Sequence, residues 1–112
     1  MKINIPKVIV PIDMAEYAPE LAGTCLHVWV NPTLNKMNEH ASLAASALSV
    51  EVLTSDNLLA WYLDLWNQGP AETHWTLEEL HDLEEKDPAF LSWMITVTWN
   101  ARREHMDRKK KV

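Results

Sequence analysis

The sequence predicts an α+β fold: an N-terminal two-stranded antiparallel β unit followed by a mainly α-helical bundle of about four helices. Three observations predict it. Before Asn31 the apolar residues fall in short β-branched and aromatic runs, and after Asn31-Pro32 they recur every three or four residues. At 112 residues the chain is long enough for one compact core and too short for two. It therefore reads as a single domain, 1–112, with the β unit in 1–31, the helical part in 32–106 and a basic flexible tail in 107–112.

The strands come first. KVIVPI and TCLHVWVN are the two β-like runs, and the prolines around the first exclude it from the centre of a sheet. Between them DMAEYAPELAG is too long for a tight hairpin loop and ends in Gly23, so a broad link is expected.

Four helices follow. Leu34, Met37, Ala41, Ala44, Leu48 and Val52 define one face of a long first helix with small Ala and Ser flanks. Thr54-Ser55-Asp56 is a cap signal for a second, NLLAWYLDLW, which stops at Gly69-Pro70. The Thr76-x-x-Glu79 spacing is a capping box and opens a short third helix, LEELHDLEEK. Asp87 as N-cap and Pro88 in the first turn open the fourth, AFLSWMITVTWNARREHMDR.

Composition narrows the function classes. The chain is acidic, with 16 Asp+Glu against 10 Lys+Arg, yet six of those ten cations follow Ala101. A body of about −10 opposes nucleic-acid binding, where phosphate contacts dominate affinity. Lys and Arg at a helix C-terminus complement its dipole, which accounts for Arg102, Arg103 and Arg108 but does not require Lys109, Lys110 and Lys111 after them. Cys25 stands alone, so neither an intrachain disulfide nor a cysteine-based zinc site is expected, and a reducing compartment fits. No secretory leader or membrane span is expected from the apolar runs.

Signals for chemistry are sparse. Cys25 and His27 alternate onto one side of a strand, but roughly 7 Å of separation is too far for direct proton transfer. No orienting third group is apparent, and no deep polar pocket is expected around Cys25, His27 or His81. Glu78 and His81 form one Glu-x-x-His turn, where a di-iron bundle needs two. With His74, Glu84 and Glu85 it reads as a solvated acidic face, so no metal and no cofactor are expected. Gly23 and Gly69 stand apart, which excludes a glycine-rich phosphate loop. The chain reads as a non-enzyme.

Tryptophan is the unusual feature, six in all. The second helix is apolar around nearly its whole circumference, interrupted by Asp64, and such a helix is central or shared with a partner. The fourth carries two stripes: Phe90, Trp93, Met94, Val97 and Ala101, and Leu91, Ile95 and Trp99. One stripe suffices for a core, so the second points to an interface. Trp61, Trp66, Trp93 and Trp99 are the candidate protein-binding residues, and homo-oligomerisation through these helices is open.

HVWVNP at His27 to Pro32, preceded by MAEYAPELAG and followed by LWNQGP and LEELHDL before a terminal helix, resembles the small tail assembly chaperones of long-tailed bacteriophages. The likeness covers most of the chain as an order of segments. It implies a non-enzymatic protein of the host cytoplasm that binds the long helical tape measure protein, keeps it soluble, helps recruit tail tube subunits and is absent from the mature virion. It also implies a slippery codon run at Lys109 to Lys111, read by some ribosomes into a longer frameshifted form. The alternatives are a head-to-tail adaptor or other small phage morphogenesis protein, or a small inhibitor or regulator of a host protein.

Overall fold

The computed structural model describes residues 3–45 and 56–110. Strand β1 (Ile9–Asp13) pairs antiparallel with β2 (Cys25–Trp29), in a register that sets Ile9 against Trp29, Pro11 against His27 and Asp13 against Cys25. Helices α1 (Leu34–Ala45), α2 (Asp56–Trp66), α3 (Leu77–Lys86) and α4 (Pro88–Lys110) follow. The expected architecture is the observed one.

Register explains how β1 carries a proline. Val30 donates to the Val8 carbonyl at 3.0 Å and Met14 to that of Thr24 at 2.8 Å, so the hydrogen-bonded pairs are the even residues of both strands. Pro11 falls between them, with its nitrogen turned away from β2, where the missing N–H costs no ladder bond. The same parity sends Leu26 and Val28 into the core, both fully buried, and puts Cys25 and His27 on the other face, half-buried.

Asparagine closes both ends of the helical part's entry. The Asn31 side chain accepts from Val8 N at 2.7 Å and donates to the Pro6 carbonyl at 3.0 Å, tying the start of β1 to the end of β2. Asn67 does the same after α2, donating to the Trp75 carbonyl at 2.8 Å and accepting from Trp75 N at 2.7 Å. The link between the strands forms two 3-10 turns, Met14–Glu16 and Pro19–Leu21, and closes at Gly23, whose φ of 90° suits glycine. Tyr17 leaves this link to donate its hydroxyl to both carboxylate oxygens of Asp87, at 3.0 and 3.1 Å.

The helix starts are local chemistry. Thr76 Oγ1 accepts from Glu79 N at 3.2 Å while Glu79 Oε1 accepts from Thr76 N at 3.0 Å, the reciprocal pair expected. Asp87 Oδ1 accepts from Phe90 N at 3.2 Å and starts α4 at Pro88. Two differences concern the long helices. The expected tail, 107–112, is helical as far as Lys110, because nothing in REHMDRKK breaks a helix and its cations suit the C-terminal dipole. The first helix is helical through Ala45, but of its expected face Leu34, Ala41 and Ala44 are exposed and only Met37 packs inward, because the side that docks carries Lys36, His40 and Leu43; Leu48, Val52 and the Thr54-Ser55 cap lie outside the described residues.

The core is one cluster that β2, α2, α3 and α4 enclose, with Met14 from the link. Leu26, Val30, Leu59, Trp66, Leu80 and Met94 are fully buried in it. Helix α2 is apolar all round because it is central: β2, α1 and α3 pack against it and α4 reaches it through Trp99 and Thr98.

Candidate protein-binding surface

That central position corrects two of the four candidate residues. Trp66 is fully buried, and its Nε1–H donates at 2.9 Å to Thr98 Oγ1, whose hydroxyl donates at 2.7 Å to the Met94 carbonyl. Trp61 is 3% exposed, and its Nε1–H donates to the Lys36 carbonyl at 2.7 Å. Both are core residues, since the surplus apolar faces of α2 are covered from within the chain. Neither offers a contact surface.

Trp93 and Trp99 lie half-buried on opposite flanks of α4. The buried line of this helix runs through Phe90, Leu91, Met94 and Thr98, with Trp93 and Val97 on one side of it and Ile95 and Trp99 on the other. Trp93 packs beside Tyr17 and Phe90, ring centroids 5.6 and 6.0 Å away. Trp99 stacks on Trp61 at 5.9 Å and 15°, and its Nε1–H donates to the Tyr62 hydroxyl at 2.8 Å. Trp93 is therefore the less tethered of the two.

An aromatic junction missed by the sequence reading joins α1 to α2 and α4. The His40 ring lies 4.6 Å from Trp61, 4.9 Å from Trp99 and 6.0 Å from Tyr62. Burial holds the imidazole below its ordinary value. Burial also raises the Tyr62 phenol, against the opposing donation from Trp99. One turn earlier, Lys36 Nζ pairs with Asp64 at 2.6 Å and sits 5.6 Å from the Trp61 ring, so the polar interruption of α2 is the anchor of α1. His40 is three residues after Met37, which was the available signal, but only the fold brings Trp99 to it.

Around Cys25 the fold gathers residues that lie far apart in the sequence. An open cleft of about 400 Å³ lies there, with Cys25, His27, Glu72, His74 and Glu79 among the residues on its walls. His74 is not at the acidic face of α3; it follows a 3-10 turn, Ala71–Thr73, and its Nε2 lies 2.9 Å from the Gly69 carbonyl. Gly69 packs against the His27 ring so closely that a Cβ there would meet His27 Cβ at 3.0 Å. Among the described residues His27 Nδ1 is buried with no hydrogen-bond partner, and Glu79 is engaged in the cap of α3. A thiol and an imidazole thus share a cleft, without the third group that would orient the imidazole as a base.

On α3, His81 Nε2 contacts Asp56 Oδ1 at 2.8 Å, and Glu78, Asp82 and Glu85 share its exposed face. Among the described residues no three His, Cys, Asp or Glu side chains converge as a metal site needs, and no helix is long and apolar enough to cross a membrane. Fold and surface together define a small α+β domain with a half-buried tryptophan on each flank of α4. No protein family, curated protein or solved structure matches the chain.

Proposed function

We propose that the chain is a non-enzymatic tail assembly chaperone of the phage type, which binds an apolar-faced helical client, the tape measure protein, and keeps it soluble while tail tube subunits are recruited. The observation that carries the reading is the half-burial of Trp93, Ile95, Val97 and Trp99 on the two flanks of α4, beyond what the buried line of that helix needs. Of these, Trp93 is the anchor best placed for a client, as its indole packs beside Tyr17 and Phe90 and forms no hydrogen bond among the described residues. The acidic body then supplies the net charge that keeps a complex with an aggregation-prone helix in solution.

Co-expression with the product of a long helical reading frame from the same gene cluster tests this. The client is expected in the soluble fraction with the chain, and Trp93→Ser is expected to weaken the complex about tenfold or more while the chain itself stays folded. A client that aggregates equally with and without the chain would end the proposal.

A further inference from the structure

Beside β1 and the middle of α4 runs an open groove of about 450 Å³. Val10, Pro11 and Ile12 from β1 and Val97 and Ala101 from α4 supply the apolar part of its walls. Its rim is acidic: Asp13 and Glu16 on one wall, Glu104 on the other. Among the described residues none of these three carboxylates forms an ion pair, and Asp13 only caps Ala15 N at 2.9 Å. Walls that are about half apolar, under an unneutralised acidic rim, select a basic occupant.

Backbone geometry says what form the occupant takes. The outward-facing residues of β1 are Ile9, Pro11 and Asp13, and Pro11 has no N–H to offer an added strand. A helix fits better than a strand. Such a helix, basic and exposed, exists in the same chain: the end of α4, where Arg103, Arg108 and Lys109 are exposed and form no ion pair among the described residues. This end cannot reach its own groove, because it continues the very helix that forms one wall.

We infer that the groove receives the α4 end of a second copy, in a two-fold antiparallel pairing of α4 helices. Val97, Ala101, Glu104 and Arg108 recur at steps of four, three and four, so Arg108 prolongs the groove face of the helix beyond the body. Tyr17 packs on Phe90 and Trp93, which sets Asp13 and Glu16 toward the Val97 end of the groove. With the two helices antiparallel and crossing midway between Ala101 and Glu104, Arg108 of each copy comes over Val97 of the other, within reach of Asp13 and Glu16. Both insertions are made at once, which closes the assembly as a dimer. Glu104 of each copy lies near the two-fold, with its own Arg108 one turn away at i+4.

A charge-swap experiment on the full chain tests this, with mass in solution measured by sedimentation. The wild type is expected to be a dimer at low ionic strength and to dissociate at about 1 M salt, where the screening length is about 3 Å. Glu16→Lys and Arg108→Glu are each expected to raise the dimer dissociation constant about tenfold or more. Both sites are exposed, so circular dichroism should show each variant folded. An equimolar mixture of the two variants is expected to form a heterodimer, since its grooves and helix ends are again of opposite charge. A wild-type monomer in every condition overturns the inference and leaves the groove to a foreign basic helix. Reversals that leave the dimer intact, a mixture that fails to pair, or an open-ended oligomer overturn it equally.

Discussion

Thr98 is the polar side chain sealed in the core among the described residues, and it is there because Trp66 needs an acceptor. Its hydroxyl accepts from the indole and passes its own proton to the Met94 carbonyl, so both polar groups are satisfied away from water. Thr98→Val keeps the shape and leaves the indole N–H unmade. Urea denaturation should show a loss of about 1–3 kcal/mol, with a smaller loss in Thr98→Ser; equal stability of all three proteins would refute the pairing. His40 predicts a pH effect instead. Its folded-state value lies below the ordinary 6.5, so the unfolded chain binds the proton more readily. Stability is then full above about pH 6.5 and falls as pH drops below it through the lowered folded-state value. Melting temperatures measured across that range should decline more steeply for the wild type than for His40→Phe, and parallel curves would remove His40 as the cause.

Elements differ in how much of their stability is their own. Helix α3 buries only Leu80 completely, and its strongest local support is the Thr76–Glu79 box. Thr76→Ala should therefore cost about 1 kcal/mol, read from thermal or chemical unfolding, and no measurable cost would mean that packing alone holds the helix start. Helix α1 stands at the other extreme: from Leu34 to Ala44 no side chain is buried, and it docks through Lys36, Met37, His40 and Leu43. That it is a helix was legible in the sequence because 3.6-residue repetition is local, but which side docks was not, since Leu34, Ala41 and Ala44 are exposed. Neither was its weak docking, because the residues that receive it, Trp61, Asp64 and Trp99, lie on two other helices.

At the scale of the whole molecule, the Cα radius of gyration is 14.7 Å, above the roughly 13 Å of a compact chain this long. Helix α4 accounts for much of this, since its 23 residues span about 34 Å and its basic last turns are exposed. The charge is divided along the same axis, acidic in the body and basic at the helix end. Among the described residues no three histidine, cysteine or carboxylate side chains converge as a metal site needs, so a chelator should leave the melting temperature of the purified chain unchanged. A shift of several degrees would reveal a bound metal and overturn that expectation.

The sequence by itself determined the order and type of the elements. The change of apolar period at Asn31, the Thr76 box, the Asp87-Pro88 start and the prolines around β1 are all decided within a few residues, by backbone chemistry that tertiary contacts did not override. Tertiary structure alone decided which tryptophans are sealed in the core and which stay half-buried. Trp61, Trp66, Trp93 and Trp99 look alike in sequence, since each lies on an apolar helical face, and burial depends on what comes to cover that face. Helix α2 is enclosed by β2, α1 and α3 and capped by Thr98 and Trp99 of α4, which hides Trp61 and Trp66, while the outer flanks of α4 leave Trp93 and Trp99 half-buried. The cleft at Cys25 was hidden for the same reason: Glu72 and His74 stand nearly fifty residues from it and reach it only because Asn67 and Gly69 turn the chain back against β2.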